Sequence, residues 1–121
     1  MFGLKGWREK KEVEDQRVED GFVRVASVAE VPPGRGKVVM MRGREVALFN
    51  TDGRFHAIDN ICPHSYRPIG TLGFDGKLVT CLWHGLTFNV ETGECPEAPH
   101  YRVQRYRVWV ENEDIFLVPP E

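Results

Sequence analysis

Two short motifs in the middle of the chain carry residues whose side chains bind metals. One is C-x-H, with Cys62 and His64, and the other is C-x-x-H, with Cys81 and His84; sixteen residues separate them. Thiolates and imidazoles are the usual protein ligands of zinc and of iron–sulfur clusters. Proline and glycine residues follow the motifs, so we expect the four side chains at the tips of two facing loops. The function of the chain is therefore sought at these loops.

Two thiolates and two imidazoles have two common uses in proteins. They hold one zinc ion tetrahedrally, or they hold two irons and two sulfides with two protein ligands on each iron. A structural zinc finger usually places its cysteines together on one hairpin and its histidines on one helix, whereas each motif here supplies one of each. The spacing favours the cluster. It leaves open whether each iron takes one motif or the two motifs interleave.

The motifs and their surroundings resemble the Rieske [2Fe-2S] domain family. The resemblance rests on C-x-H, the gap of sixteen residues, C-x-x-H-G, and Phe88 four residues after the second histidine. It extends from about residue 22 to residue 118. One position departs from the pattern, because the family commonly reads C-x-H-x-G and Tyr66 stands where that glycine is expected. A tyrosine resists positive φ, so we expect the first loop to turn by a different route.

The resemblance implies a Rieske-type [2Fe-2S] cluster with four protein ligands. Cys62 and Cys81 would bind one iron, and His64 and His84 would bind the other, outer iron. Two ferric ions, two sulfides and two thiolates carry no net charge, so reduction adds a single negative charge. Iron that is fully ligated by protein and sulfide has no open coordination position. Such a centre suits electron transfer and does not suit hydrolysis.

Outside the loops, the chain reads as short strands joined by turn residues, which is typical of an all-β domain. We expect one domain over residues 21–121, with an antiparallel β-sandwich or barrel base and an inserted cluster-binding subdomain over residues 60–88. Residues 106–111 and 115–118 should form a closing hairpin. The expected strands are residues 22–26, 37–41, 45–50, 55–59, 77–80, 87–90, 106–111 and 115–118.

Residues 1–20 are expected to form a charged N-terminal extension to that domain. Residues 5–20 carry five basic and six acidic side chains and few apolar residues to make a core face. Two interpretations stay open: a solvated tail or short surface helix, and an element that docks a partner.

The overall composition limits the partners and the location. The chain has 121 residues and a formal net charge of −2, which gives no reason to expect nucleic acid or an anionic membrane as a partner. No apolar stretch approaches the roughly twenty residues of a membrane span, and the charged N-terminus lacks the apolar segment of a signal peptide. We therefore expect a cytoplasmic monomer.

Three other residues invite a functional interpretation. Cys95 is left over once Cys62 and Cys81 are assigned, which suits a reducing compartment, and we interpret it as a spectator. His56 falls within an expected strand and is interpreted as a surface or packed side chain. Residues 96–101 can approach the cluster as a third loop, which would bring His100 near a ligand.

The chain is therefore interpreted as a one-electron carrier that is not catalytic alone. By resemblance it is a soluble Rieske-type ferredoxin, with a flavin-containing reductase as donor and a terminal oxygenase or other oxidoreductase as acceptor. The full oxygenases of the family add a large domain with a mononuclear iron, and this chain ends soon after its last expected strand. One alternative is a small subunit of a larger enzyme, such as a nitrite-reductase-like complex. Another is a structural zinc protein.

Family members of respiratory and photosynthetic complexes carry an extra cysteine in each loop, joined as a disulfide. The matching positions here hold Arg67 and Trp83, so no loop disulfide can form. Those members also carry a serine and a tyrosine whose hydroxyls donate hydrogen bonds to the cluster and a cysteine sulfur. Leu86 and Phe88 stand at these positions.

We predict a reduction potential near the low end of the Rieske range, about −150 mV. Each missing hydroxyl removes a hydrogen bond that would stabilise the more negative, reduced cluster. A spectroscopic redox titration of the purified protein measures the potential, and a clearly positive value would contradict the prediction.

Overall fold

The structure is a computed structural model that describes residues 18–19, 21–83 and 85–119. Apart from residues 18 and 19, the expected N-terminal extension lies outside the described residues, and so does the predicted ligand His84. In the part of the chain that is described, no helix is long and apolar enough to cross a membrane.

Ten β-strands and one short 3-10 helix make up the regular structure of the described residues. The strand boundaries mostly lie within one residue of those expected from the sequence. In chain order the elements are β1 (Val18–Glu19), β2 (Phe22–Ser27), the 3-10 helix (Val28–Glu30), β3 (Gly36–Met41), β4 (Arg44–Thr51), β5 (Arg54–Asp59), β6 (Leu78–Thr80), β7 (Thr87–Asn89), β8 (Arg105–Tyr106), β9 (Val108–Glu111) and β10 (Asp114–Leu117).

These strands form three antiparallel sheets. Two larger sheets, in the orders β9-β10-β2-β1 and β3-β4-β5-β8, make the base, and β6 and β7 form a separate hairpin. The expected all-β class with antiparallel sheets is confirmed. The β6–β7 hairpin carries the second motif, because β6 ends directly before Cys81 and β7 begins at Thr87.

The single strand expected over residues 106–111 is wrong, because the chain changes sheets within it. Tyr106 belongs to β8 and pairs with Ala57 of β5, whereas β9 begins at Val108 and pairs with β10 in the other sheet. The Tyr106 hydroxyl donates to a carboxylate oxygen of Asp59 (2.5 Å), which holds β8 against β5. The alternation of apolar and polar residues cannot reveal that the chain moves from one sheet to another, since the segments on both sides of the change are extended. The closing hairpin is formed by β9 and β10 alone.

Two apolar cores fill the described structure, and β4 contributes to both. The base core lies between the two large sheets and contains Val23, Ala26, Val31, Val39, Met41, Val46, Leu48, Ala57, Tyr106, Ile115 and Leu117. The site core lies on the other side of β4 and contains Ala47, Phe49, Ile58, Cys62, Ile69, Val79, Cys81, Phe88, Val90, Cys95 and Val103.

The double burial of β4 follows from its sequence. Successive side chains of a strand point to opposite faces, so Val46 and Leu48 enter the base core while Ala47 and Phe49 enter the site core. All four are fully buried. An uninterrupted apolar run is typical of a strand covered on both faces. The motif loops therefore pack on the same strand that holds the base together.

We predict that G93A destabilises the protein by more than G53A does. Both glycines have positive φ, 81° at Gly93 and 94° at Gly53, a conformation that costs a residue with a side chain about 1–2 kcal/mol. A Cβ at Gly93 would also lie 2.7 Å from the carbonyl oxygen of Val103, whereas one at Gly53 would meet nothing within 4 Å. The overlap should add about 1–3 kcal/mol. Urea unfolding of the two variants gives both free energies, and equal losses would contradict the prediction.

Candidate metal centre

The first motif lies in a tight loop that its own backbone closes. The N–H of Cys62 donates to the carbonyl oxygen of Arg67 (2.8 Å), and the N–H of Tyr66 donates back to the carbonyl oxygen of Cys62 (2.7 Å). Ile61 and Pro68 face each other across the neck of the loop as an isolated bridge. The backbone around Cys62 is therefore fixed by local hydrogen bonds.

The second motif repeats this pattern. The N–H of Cys81 donates to the carbonyl oxygen of Leu86 (2.7 Å), and the N–H of Gly85 donates to the carbonyl oxygen of Cys81 (2.9 Å). In each loop the cysteine thus donates to the residue five positions on and accepts from the residue four positions on. Tyr66 and Gly85 occupy equivalent places in the two loops.

The expectation that Tyr66 makes the first loop turn by a different route is wrong. Tyr66 has φ 60°, and Gly85, at the equivalent place, has φ 77°. The tyrosine therefore adopts a positive φ close to that of the glycine in the second loop, at a cost of about 1–2 kcal/mol. Two hydrogen bonds close the loop around it, and its side chain is 81% exposed, so it meets little steric hindrance.

Three of the four predicted ligands lie in the described residues, and they differ in burial. Cys62 and Cys81 are fully buried in the site core and are not joined to any other cysteine. His64 is exposed, and His84 lies outside the described residues. Two of the predicted ligands are thus brought into one core, and a third stands at the surface.

The donors of this site fit an iron–sulfur cluster. Two free thiols are buried in one apolar core, where each can serve as a thiolate ligand. The hydroxyl of Ser65 is buried and meets no hydrogen-bond partner among the described residues, so the first loop holds a donor that suits a sulfur acceptor. Within the described ranges, no three His, Cys, Asp or Glu side chains converge on a point suited to one metal ion. A two-iron cluster does not need three, since each iron takes two protein ligands.

The expected third loop, residues 96–101, contacts the first. The ring of Tyr101 meets the ring of His64 edge-on, with 5.3 Å between the centroids and 87° between the planes. The ring of His100 lies 4.4 Å from that of Tyr101. Tyr101 is therefore the residue of this loop that contacts the predicted ligand, and His100 is one step further away. Sequence reasoning placed residue 101 in this loop but did not single it out, and no local pattern marks its contact with His64.

Glu97 joins the third loop to the second. Its carboxylate accepts from the N–H of Thr87 (3.0 Å) and from the Thr87 hydroxyl (2.8 Å), and the thiol of Cys95 lies 3.6 Å from it. The hydrogen bonds from Thr87 hold the pKa of Glu97 below its ordinary value. Glu97 thereby fixes the point where the chain leaves the second motif, and no motif in the sequence pointed to it.

Asn60 anchors the first loop to the base. This buried residue donates from its side-chain amide to Glu45 Oε1 (3.0 Å), and its Oδ1 accepts from the N–H of Gly70 (2.9 Å). Its carbonyl oxygen accepts from the N–H of Ile69 (2.6 Å). Asn60 therefore ties both ends of the first loop to β4. It too was missed, because a lone asparagine before a cysteine has no distinctive pattern.

The other two singled-out residues lie where ordinary packing explains them. His56 is half-buried in β5, and burial lowers its pKa. Cys95 is buried in the site core, and burial raises the pKa of its thiol. A buried, protonated thiol is unreactive, as expected of a spectator.

The fold is all-β, and its two motif loops bring two free cysteines into one buried core. The chain belongs to the Rieske [2Fe-2S] domain family, whose model matches residues 21–107. Its cofactor is accordingly a Rieske-type [2Fe-2S] cluster.

Several relatives are ferredoxin components by name. The chain is 34% identical over 98 residues to the biphenyl dioxygenase ferredoxin subunit of Pseudomonas sp. (strain KKS102). This match covers 79% of this chain and 90% of the relative. The chain is 33% identical over 98 residues to the alkene monooxygenase system ferredoxin component of Xanthobacter autotrophicus, at 79% and 80% coverage. The solved Sphingomonas yanoikuyae B1 ferredoxin has a TM-score of 0.72 and 27% identity, over 82% of this chain and 99% of that one.

We predict that E97Q removes an acid-sensitive part of the protein's stability. Because the folded state lowers the pKa of Glu97, its carboxylate stabilises the fold fully above the ordinary pKa of 4.5 and loses this effect as pH falls through the lowered pKa. Urea midpoints of the wild type and E97Q should therefore differ at pH 6 and converge as the pH is lowered below about 4.

E94Q is the matched control for this experiment. Glu94 is also exposed and three residues away, but its carboxylate pairs with Arg102 and does not bond to Thr87. If E97Q and E94Q change the midpoint in the same way at every pH, the Thr87 bonds are not the cause.

Proposed function

We propose that this chain is a one-electron carrier that takes electrons from a flavin-containing reductase and delivers them to a terminal oxygenase. The observation that carries the proposal is the arrangement of the predicted ligands, with both cysteines fully buried and His64 exposed. A redox centre placed in this way exchanges electrons through its histidine side. The ferredoxin relatives named after biphenyl dioxygenase and alkene monooxygenase systems support an oxygenase as the acceptor.

We further propose the assignment of the four ligands. Cys62 and Cys81 would hold the inner iron, and His64 and His84 the outer one. The burial of both cysteines in the site core and the exposure of His64 support this division. Under this assignment the two motifs interleave, since each loop would contribute one ligand to each iron. Residues 60–88 would accordingly act as the cluster-binding subdomain of one domain over residues 21–121.

The bound cluster supplies a site that accepts and releases one electron. The residues of this chain control its surroundings. The site core excludes water from the cysteine side, so the added charge is not stabilised there by solvent. Tyr101 packs edge-on against His64 and limits the orientations of that imidazole. Backbone hydrogen bonds fix the turns that carry Cys62 and Cys81, which would limit the movement of both cysteines when the cluster is reduced.

The chain would not be catalytic alone. Four protein ligands and two sulfides leave neither iron an open position at which a substrate could be activated. We also propose a cytoplasmic location and a monomeric state. No disulfide joins any of the three cysteines, all of which lie in the described residues, and this suits a reducing compartment. A carrier that exchanges partners needs its histidine side uncovered, whereas a permanent subunit of a larger complex would have it covered.

We predict that the purified protein holds two irons and two sulfides and accepts one electron per chain, and that C81S holds almost no iron. Serine replaces the thiolate with a poor iron ligand, whereas C95S should keep its cluster. Cys95 is the matched control because it is buried in the same core as Cys81. Iron, sulfide and zinc analysis, with electron paramagnetic resonance of the reduced protein, measures all of these quantities.

Delivery of the electron completes the test. Mixing the reduced protein with a purified terminal oxygenase in the absence of oxygen should reoxidise it, as followed by its visible absorbance, and gel filtration should show a monomer. One zinc per chain without iron, or equal loss of iron in C81S and C95S, would contradict the cluster assignment. Two results together would favour the bound-subunit alternative. The protein would hold a full cluster that no oxygenase reoxidises, and in extracts of its source it would elute with a large complex.

A further inference from the structure

A side-chain contact between described residues joins the tips of the two motif loops. The guanidinium carbon of Arg67, in the first loop, lies 4.4 Å from the centroid of the Trp83 ring, in the second loop. A guanidinium over the face of a tryptophan at this distance makes a favourable cation–π interaction. Both side chains are at the surface, with Trp83 55% exposed. The contact therefore belongs to the loop tips and not to the core beneath them.

The two partners are part of the backbone that holds the predicted ligands. The carbonyl oxygen of Arg67 accepts the N–H of Cys62, so the residue that closes the first loop also reaches the second. Trp83 stands between Cys81 and His84 in sequence. A displacement of either side chain would thus be transmitted directly to a ligand-bearing turn.

Apart from the contact of Tyr101 with His64, the contacts described above act at the base of a loop or within one loop. Asn60 fixes the ends of the first loop, Glu97 fixes the exit of the second, and the hydrogen bonds around each cysteine lie within one loop. None of these hydrogen bonds joins the tip of one loop to the tip of the other. The Arg67–Trp83 pair joins the two tips.

We propose that Arg67 and Trp83 form a noncovalent tether that positions the two loops around the cluster. The inference rests on the proposed cluster site for its function, while the tether itself can be measured with or without metal. Arg67 and Trp83 act here as positioning residues, since neither is a proposed ligand. An exposed cation–π pair changes an equilibrium by about two- to fivefold, so the tether limits the opening of the loops without locking them.

Hydrogen–deuterium exchange read on peptides of the purified protein tests the tether across the loops. W83A should raise the exchange rate of the first loop, where the amides of Cys62 and Tyr66 are hydrogen-bonded. R67A should raise the exchange rate of the second loop, at Cys81 and Gly85. The expected increase in each is about two- to fivefold.

The double variant R67A/W83A and two conservative variants complete the design. Because the two residues form one interaction, the double variant should exchange no faster than the faster single variant. W83F keeps an aromatic face and should retain most of the protection, and R67K should retain part of it because it keeps the charge. Effects confined to the mutated loop, or single effects that multiply in the double variant, would overturn the proposal. A urea midpoint shows whether each variant remains folded.

The second measurement is the rate at which the cluster is lost to an iron chelator. R67A and W83A should each release iron about two- to fivefold faster than the wild type, whereas W83F should release it at close to the wild-type rate. The electron paramagnetic resonance lines of reduced R67A and W83A should be broader, because the ligands are less fixed. Unchanged rates and line widths in both variants would overturn the tether. A wild-type protein that holds no cluster would instead refute the proposed function, and the exchange experiment would still decide whether the tether exists.

Discussion

The double burial of β4 is the constraint on which the rest of the structure depends. Val46 and Leu48 point into the core between the two large sheets. Ala47 and Phe49, which alternate with them along the strand, point into the site core and support the loops that carry the predicted ligands. A strand that is buried on both faces cannot shift its register by one residue without exchanging the two sets of side chains. The position of the site relative to the base is therefore fixed by the same residues that stabilise the base.

The two motif loops share one backbone design with different ligand spacing. In both, the cysteine N–H donates to the residue five positions on and a residue with positive φ donates back to the cysteine. The histidine follows the first cysteine by two residues and the second by three. Equivalent turns can thus place both cysteines in the core while the histidines leave the loops from different positions. Tyr66 shows that the hydrogen bonds of this turn, and not glycine, set its conformation.

Much of this could be predicted from the sequence, and the exceptions have physical causes. Short apolar segments between turn residues predicted most strands, and the spacing of Cys62, His64 and Cys81 predicted two loops. The change of sheet at residue 107 could not be predicted, because extended segments in different sheets have the same pattern. The roles of Asn60 and Glu97 depend on neighbours that are 15 and 10 residues away in the chain. Such long-range pairs leave no local periodicity.

The contacts around the site are distributed by depth. Apolar packing surrounds the cysteines, and hydrogen bonds of the buried Asn60 secure the base of the first loop. The half-buried Tyr101 contacts His64, and the exposed side chains of Arg67 and Trp83 contact each other at the loop tips. Deep packing is costly to change, whereas exposed aromatic and cationic contacts contribute about 1 kcal/mol or less. The interior of the site is thus rigid, and its outer surface can adjust to a partner. A carrier needs both properties, because a fixed interior keeps the redox geometry constant while an adaptable surface allows brief contact with a donor and then with an acceptor.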